Sequence, residues 1–317
     1  FYPFYHFVWS YIINFNGKVL YFLWMFKKKD FFSLGKNDKL IVEPTNESKA
    51  IANKILEESK SFIGNSKKII LSKEYAEKIS IAKIPYTISI YENLSDNLKK
   101  EITQFASSDK LITTALSYMK VFPILTRVQV YYNISRENSD LRGAMFWHKD
   151  GFGFKNLDFF MCVTDLDESN GPFYCLKKKI NAGIFKSFDY LFKDIGERNK
   201  VSLENFSKHF KDEEILTFTG PSGKAVFLDS FSTFHRGGFC ERNDRIMLRF
   251  CYQTHDALCE ELELKNDYCS FDHSITKKNV KNIYKKYLFF KKPPLILKIL
   301  KRYLIKFYYF IEYKYKI

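Results

Sequence analysis

The sequence has no CxxC pair, no uninterrupted apolar run of membrane-spanning length, no internal repeat and no recognisable secretory signal. The six cysteines, at positions 162, 175, 240, 251, 259 and 269, are scattered. That argues against a disulfide framework and for reduced thiols in a cytoplasmic protein. A transmembrane helix needs about 20 apolar residues. The aromatic-rich stretch 1–26 is broken by His6, Asn14, Asn16, Gly17 and Lys18 before it closes on Lys27-Lys28-Lys29. It reads as a segment lying in a membrane interface rather than crossing it.

Acidic charge is scarce at both ends. Residues 277–317 carry thirteen Lys/Arg against one acid, Glu312, and residues 1–30 carry four Lys against Asp30. These two segments account for the whole net charge of +15, so the middle of the chain is neutral. A neutral body argues against nucleic acid as the partner. The basic ends interleave Lys/Arg with Leu, Ile, Tyr and Phe, a pattern that suits the inner, anionic face of a membrane.

With 317 residues, of which 46% are hydrophobic, the chain can bury a large core. Three divisions are expected: an aromatic, basic segment over 1–35, a folded domain over 36–272, and a basic amphipathic helix within 273–317. Within the domain, 36–120 reads as a helical buttress. Apolar residues recur at helical spacing over 46–62, 95–106 and 109–119. From Leu125 the period changes to two, with strand-like runs over 126–132, 144–150, 157–164, 171–176, 225–229 and 245–252. Gly, Asn and Pro turns separate them, as in a jelly roll. The polar, helical-looking insert 181–214 is a candidate lid.

The chemistry gathers in the β-rich part. His148 and Asp150 sit two apart on a strand-like run, so both side chains face the same way. His235 follows Asp150 by 85 residues, just past another apolar run. Two histidines and one carboxylate are the facial ligand set of non-haem Fe(II), which leaves three positions open. Two of these can chelate a 2-oxo acid and one can take O2. The far carboxylate of such an acid needs a cation. Arg245 lies ten residues after His235, and Arg249 has the same strand parity. Other polar residues read as structural: Asp229 as a strand-end or turn carboxylate, Asn170 as a turn former, Trp147 as core, and His209 and His255 as surface residues.

The stretches WHKDGFGFKNLDFFMCVTDLDESNGPFYCL and GPSGKAVFLDSFSTFHRGGFCERNDRIMLRFCYQ resemble the phytanoyl-CoA dioxygenase family over about residues 120–255. The resemblance implies a double-stranded β-helix core flanked by helices. It implies Fe(II)/2-oxoglutarate-dependent oxygenation, with His148, Asp150 and His235 on iron and Arg245 on 2-oxoglutarate. Gln129 and Arg127 would line the pocket from the preceding strand. Phe239-Cys240-Glu241 replaces the family's usual Pro-Asn pair, which keeps Arg249 open as the anchor. Related halogenases lack the carboxylate ligand, so Asp150 implies hydroxylation. The expected substrate is a small molecule, a lipid or a lipid-linked saccharide. The competing expectation is a metal-binding or membrane-peripheral protein without turnover on the same fold.

Overall fold

The computed structural model describes residues 18, 21, 39–70, 87–121, 123–135, 141, 143–150, 155–177 and 200–254. Apart from residues 18 and 21, the expected terminal segments lie outside them, as do most of the 181–214 insert and His255. Among the described residues no helix is long and apolar enough to cross a membrane.

Among the described residues eleven strands appear in chain order: β1 (Lys39–Val42), β2 (Thr87–Ser89), β3 (Ile124–Asn133), β4 (Trp147–His148), β5 (Asn156–Cys162), β6 (Phe173–Leu176), β7 (Lys200–Val201), β8 (Ile215–Phe218), β9 (Ala225–Leu228), β10 (His235–Gly237) and β11 (Arg245–Gln253). They form two antiparallel sheets. The large one has the order β1-β9-β5-β11-β3-β2 and the small one β7-β4-β10-β6-β8. From β3 onward the chain passes back and forth between the two. As a result β11 lies between β3 and β5, and β10 lies between β4 and β6. This is the double-stranded β-helix, or jelly roll.

Three helices cover the outer face of the large sheet: α1 (Asn46–Ile70), α2 (Asp96–Ala106) and α3 (Asp109–Met119). The first two begin where a hydroxyl satisfies an unpaired helix N–H. Thr45 Oγ1 accepts from Ser48 N at 3.1 Å, and Ser95 Oγ accepts from Leu98 N at 3.2 Å. Glu58 on α1 accepts from Ser95 N and Oγ at 2.8 and 2.7 Å, which ties α1 to the start of α2. The apolar stripes Leu98/Ile102/Phe105 and Leu111/Ala115/Met119 then pack on Val128, Val130, Phe159 and Phe250. The buttress is not wholly helical, because β1 and β2 come from the same region and close the two edges of the large sheet.

Two expected elements differ. The run 144–150 is not one strand: a 3-10 turn, Gly143–Met145, precedes a strand of only Trp147–His148. Asp150 lies beyond the strand, where its N–H is held by Ser230 O at 2.9 Å. The described end of the 181–214 insert contributes β7, paired to β4, and the short helix α4 (Leu203–Ser207). Helix α4 covers the small sheet's outer face, where Phe206 stacks on Trp147 with centroids 4.0 Å apart.

Candidate metal centre

The register of the small sheet brings the two histidines together. His235 on β10 pairs directly with His148 on β4, and their ring centroids are 4.4 Å apart. Asp150 meets them from the loop after β4. Its Oδ1 lies 3.8 Å from His148 Nε2, and its Oδ2 lies 3.9 Å from His235 Nε2. One ligand atom from each residue falls within 4.8 Å of the other two.

Both imidazoles are held in the same way. His148 Nδ1 donates to Phe146 O at 2.8 Å, and His235 Nδ1 donates to Thr233 O at 3.1 Å. A carbonyl can only accept, so each Nδ1 carries the hydrogen and each Nε2 keeps its lone pair for the centre of the triad. Burial, and then the neighbouring His235, push His148 down to about 4. It is therefore neutral, and able to ligate, over the physiological range. Burial alone would raise the Asp150 carboxyl; Arg249 and the two imidazoles outweigh that and hold it below the usual carboxylate range.

The inner face of the large sheet supplies the surroundings. Along β11, Arg245, Met247, Arg249, Cys251 and Gln253 face inward, while Ile246, Leu248, Phe250 and Tyr252 face the helices. On β3, Arg127, Gln129, Tyr131 and Asn133 face inward, at the levels of Cys251, Arg249, Met247 and Arg245. The register slips at Cys251/Tyr252, just where Arg127 stands. Such an irregularity re-aims a strand's side chains next to a site.

The two same-parity arginines have different company. Arg249 forks onto Asp158 through Nε (2.9 Å) and one terminal nitrogen (2.8 Å), and that nitrogen also reaches Asp150 Oδ2 at 2.5 Å. The Phe160 ring lies beneath it, 5.1 Å away. Arg245 donates to Asn133 Oδ1 at 3.2 Å and to Gly171 O. A Cβ on Gly237 would lie 3.4 Å from its guanidinium. Gly237 is two residues from His235 on the same strand face, so the guanidinium lies roughly 7 Å of strand from the imidazole level.

The Gly-Gly after His235 thereby has a physical reason. A Cβ at Gly238 would meet Pro172 O at 2.6 Å and the Gly171 backbone at 2.7 Å. The Asn170-Gly171-Pro172 turn closes onto this spot, with Gly238 N donating to Pro172 O at 2.6 Å. Asn170 shapes that turn, with its Oδ1 accepting from Asp167 N at 2.8 Å. Trp147 is core at 3% exposure. Asp229 is a turn carboxylate that accepts from Ser232 N at 3.1 Å and also from the Tyr118 hydroxyl. His209 is exposed, and Cys162, Cys175, Cys240 and Cys251 are buried thiols outside any disulfide.

Asp158 was missed by sequence reasoning, along with its supports Asn156 and Ser230. The available signal was a carboxylate in the middle of an otherwise apolar strand, NLDFFMC, where a buried charge needs a partner.

No protein-family model matches the chain, and no curated protein matches it in sequence. Solved structures do resemble it in outline. The iron-bound EctD of S. alaskensis is 12% identical, with 70% of this chain and 74% of that chain covered at a TM-score of 0.45. HygX of Streptomyces hygroscopicus, with nickel and 2-oxoglutarate bound, is 10% identical over 69% and 84% of the two chains, at 0.43. SnoK, a non-heme alpha ketoglutarate dependent carbocyclase from nogalamycin biosynthesis, is 10% identical over 75% and 90%, at 0.42.

Proposed function

We propose that the protein is an Fe(II)- and 2-oxoglutarate-dependent dioxygenase that hydroxylates a C–H bond. The observation that carries this is the convergence of two lone-pair-bearing imidazole nitrogens and one carboxylate inside a jelly roll, with a buried arginine further along the same interior. Two imidazole nitrogens and one carboxylate fit ferrous iron and leave coordination positions for co-substrate and O2. Bound iron, with 2-oxoglutarate and O2, supplies an oxidant that removes hydrogen from carbon and returns a hydroxyl as succinate and CO2 leave.

The chain's own residues do the rest. His148, Asp150 and His235 hold the metal on one face. Arg245 takes the far carboxylate of 2-oxoglutarate: its fork suits a planar anion, and its level on β11, beside Gly237, suits the reach of a five-carbon diacid. Arg249 serves elsewhere, because Asp158 and Asp150 already occupy it. Phe160 and Phe173, 4.9 Å apart, help keep water from the metal's inner side. Gln129 and Arg127 line the pocket on the side away from Arg245, where a small-molecule, lipid or lipid-linked substrate would enter.

Purified protein supplied with Fe(II) is expected to convert 2-oxoglutarate to succinate, and His148→Ala or Asp150→Ala to abolish it. Succinate release by either variant at the wild-type rate would remove the assignment. A metal-binding protein without turnover would hold iron and release no succinate. The basic ends are assigned to an anionic membrane surface. The full chain should float with anionic liposomes and a chain truncated at Pro293 should not; equal flotation would clear the C-terminal segment of that role.

A further inference from the structure

The charged cluster beside the triad is larger than a single carboxylate ligand requires. Asp158 is fully buried on β5, and Arg249 faces it with two hydrogen bonds. Ser230 Oγ donates to Asp158 Oδ2, and Asn156 Nδ2 bonds both Ser230 Oγ (2.5 Å) and Asp158 Oδ2 (3.2 Å). Cys251 Sγ in turn bonds Asn156 Oδ1 at 3.0 Å. The carbonyl of the same Ser230 holds the Asp150 backbone N–H at 2.9 Å. One short segment therefore fixes both the main chain of Asp150 and the carboxylate that faces Arg249.

The charges explain the need. A buried guanidinium must be neutralised. If Asp150 alone did so, little of its negative charge would remain for a cation. With Asp158 in place, Asp150, Asp158 and Arg249 together carry one negative charge, the same as a lone carboxylate. The hydrogen bonds also divide the Asp150 oxygens. Oδ2, 3.9 Å from His235 Nε2, is bound by Arg249, and Oδ1 lies 3.8 Å from His148 Nε2.

We infer that Arg249 and Asp158 are positioning residues for Asp150: Asp158 neutralises and aligns the guanidinium, and the guanidinium takes Oδ2 so that the metal is offered Oδ1 alone. This inference rests on the metal reading above. It has a direct consequence for the chemistry. A carboxylate that chelated with both oxygens would occupy one of the three positions that 2-oxoglutarate and O2 require. The clamp keeps those positions open.

The test is a Co(II) titration of the metal-free full-length protein, followed by calorimetry and visible absorption, with circular dichroism as the check on folding. Wild type should take one equivalent and His148→Ala none. Asp158→Asn keeps the shape but removes the balancing charge. Arg249→Lys keeps the charge but loses the fork. Each should bind Co(II) about 10–100-fold more weakly, with altered d–d bands at saturation, in protein that circular dichroism shows to be folded. A purely structural role would lower thermal stability and leave the affinity and bands of the folded protein unchanged. If His148→Ala loses cobalt while both variants keep wild-type affinity and bands, the clamp is overturned and the metal site stands. If wild type takes no cobalt, or His148→Ala takes it as well as wild type, the metal reading falls and the clamp with it. Should one variant fail to fold, the other decides.

Discussion

The two faces of the large sheet are made by the same strands and do opposite jobs. On β5, Leu157, Phe159 and Met161 face the helices, and Asn156, Asp158, Phe160 and Cys162 face the interior of the jelly roll. On β11, Leu248, Phe250 and Tyr252 join the aromatic core, and Arg245 and Arg249 alternate with them inward. On β5 both faces are fully buried, so burial does not distinguish them there. The outer face is stabilised by non-directional apolar contact, such as Phe159 against Phe227 and Phe250 at 4.9 and 5.5 Å. The inner face is held by directional, charge-assisted hydrogen bonds, which cost stability when half-made. One sheet thus serves as the core on one side and as the wall beside the His148, Asp150 and His235 cluster on the other.

That division can be broken from either side. Phe159→Ala should have the largest effect on stability, about 3–5 kcal/mol in denaturant unfolding, while the folded fraction keeps wild-type Co(II) affinity. A loss of affinity in the folded fraction would show that the faces are coupled. Arg245→Ala should act in the reverse sense. It should leave metal binding intact and raise the 2-oxoglutarate concentration for half-maximal turnover by roughly 10–100-fold, the equivalent of about 1.5–3 kcal/mol from lost charged hydrogen bonds. Its effect on that concentration should exceed that of Arg249→Ala. The opposite ranking would hand the anchor to Arg249.

The smallest effect is a pH dependence on the inner face. Burial holds folded His148 at about 4, below the 6.5 or so of an unfolded imidazole. Between those values the unfolded chain binds more protons. Metal-free protein should therefore be fully stable above about pH 6.5 and lose stability as pH falls toward 4. From pH 7 to 5.5 the His148 share is about 1 kcal/mol, close to one pKa unit's worth. Urea midpoints at the two pH values should converge in His148→Ala; an undiminished drop would place the proton elsewhere.

The legible parts of the molecule are those that repeat locally. The helical spacing of Leu98/Ile102/Phe105 anticipated α2, and the two-residue period at 126–132 anticipated β3. The short strands were less readable. β7 and β10 span two and three residues, too few for any period to show, and they exist because β4 and β6 pair with them. The structure brings His148 and Asp150 within 3.8 Å of each other, but Asp150 arrives from a loop anchored by Ser230 and not from the strand that the two-residue spacing implied.

The sequence by itself determined the face on which each residue of β5, of β11 and of β3 from Arg127 onward stands, because side-chain alternation is a property of the local backbone; the slip just before Arg127, which puts Leu125 on the same side as Val128, is not. It also set the donor types, two imidazoles and one carboxylate, since chemistry travels with residue identity. Only the tertiary structure decided that His235 lies opposite His148, because pairing register depends on strands far apart in the chain. Only the fold separated Arg245 from Arg249. Parity placed both inside, but the height along the strand and the neighbour across it are non-local: Asp158 and Asp150 meet one, and Asn133 and Gly171 meet the other.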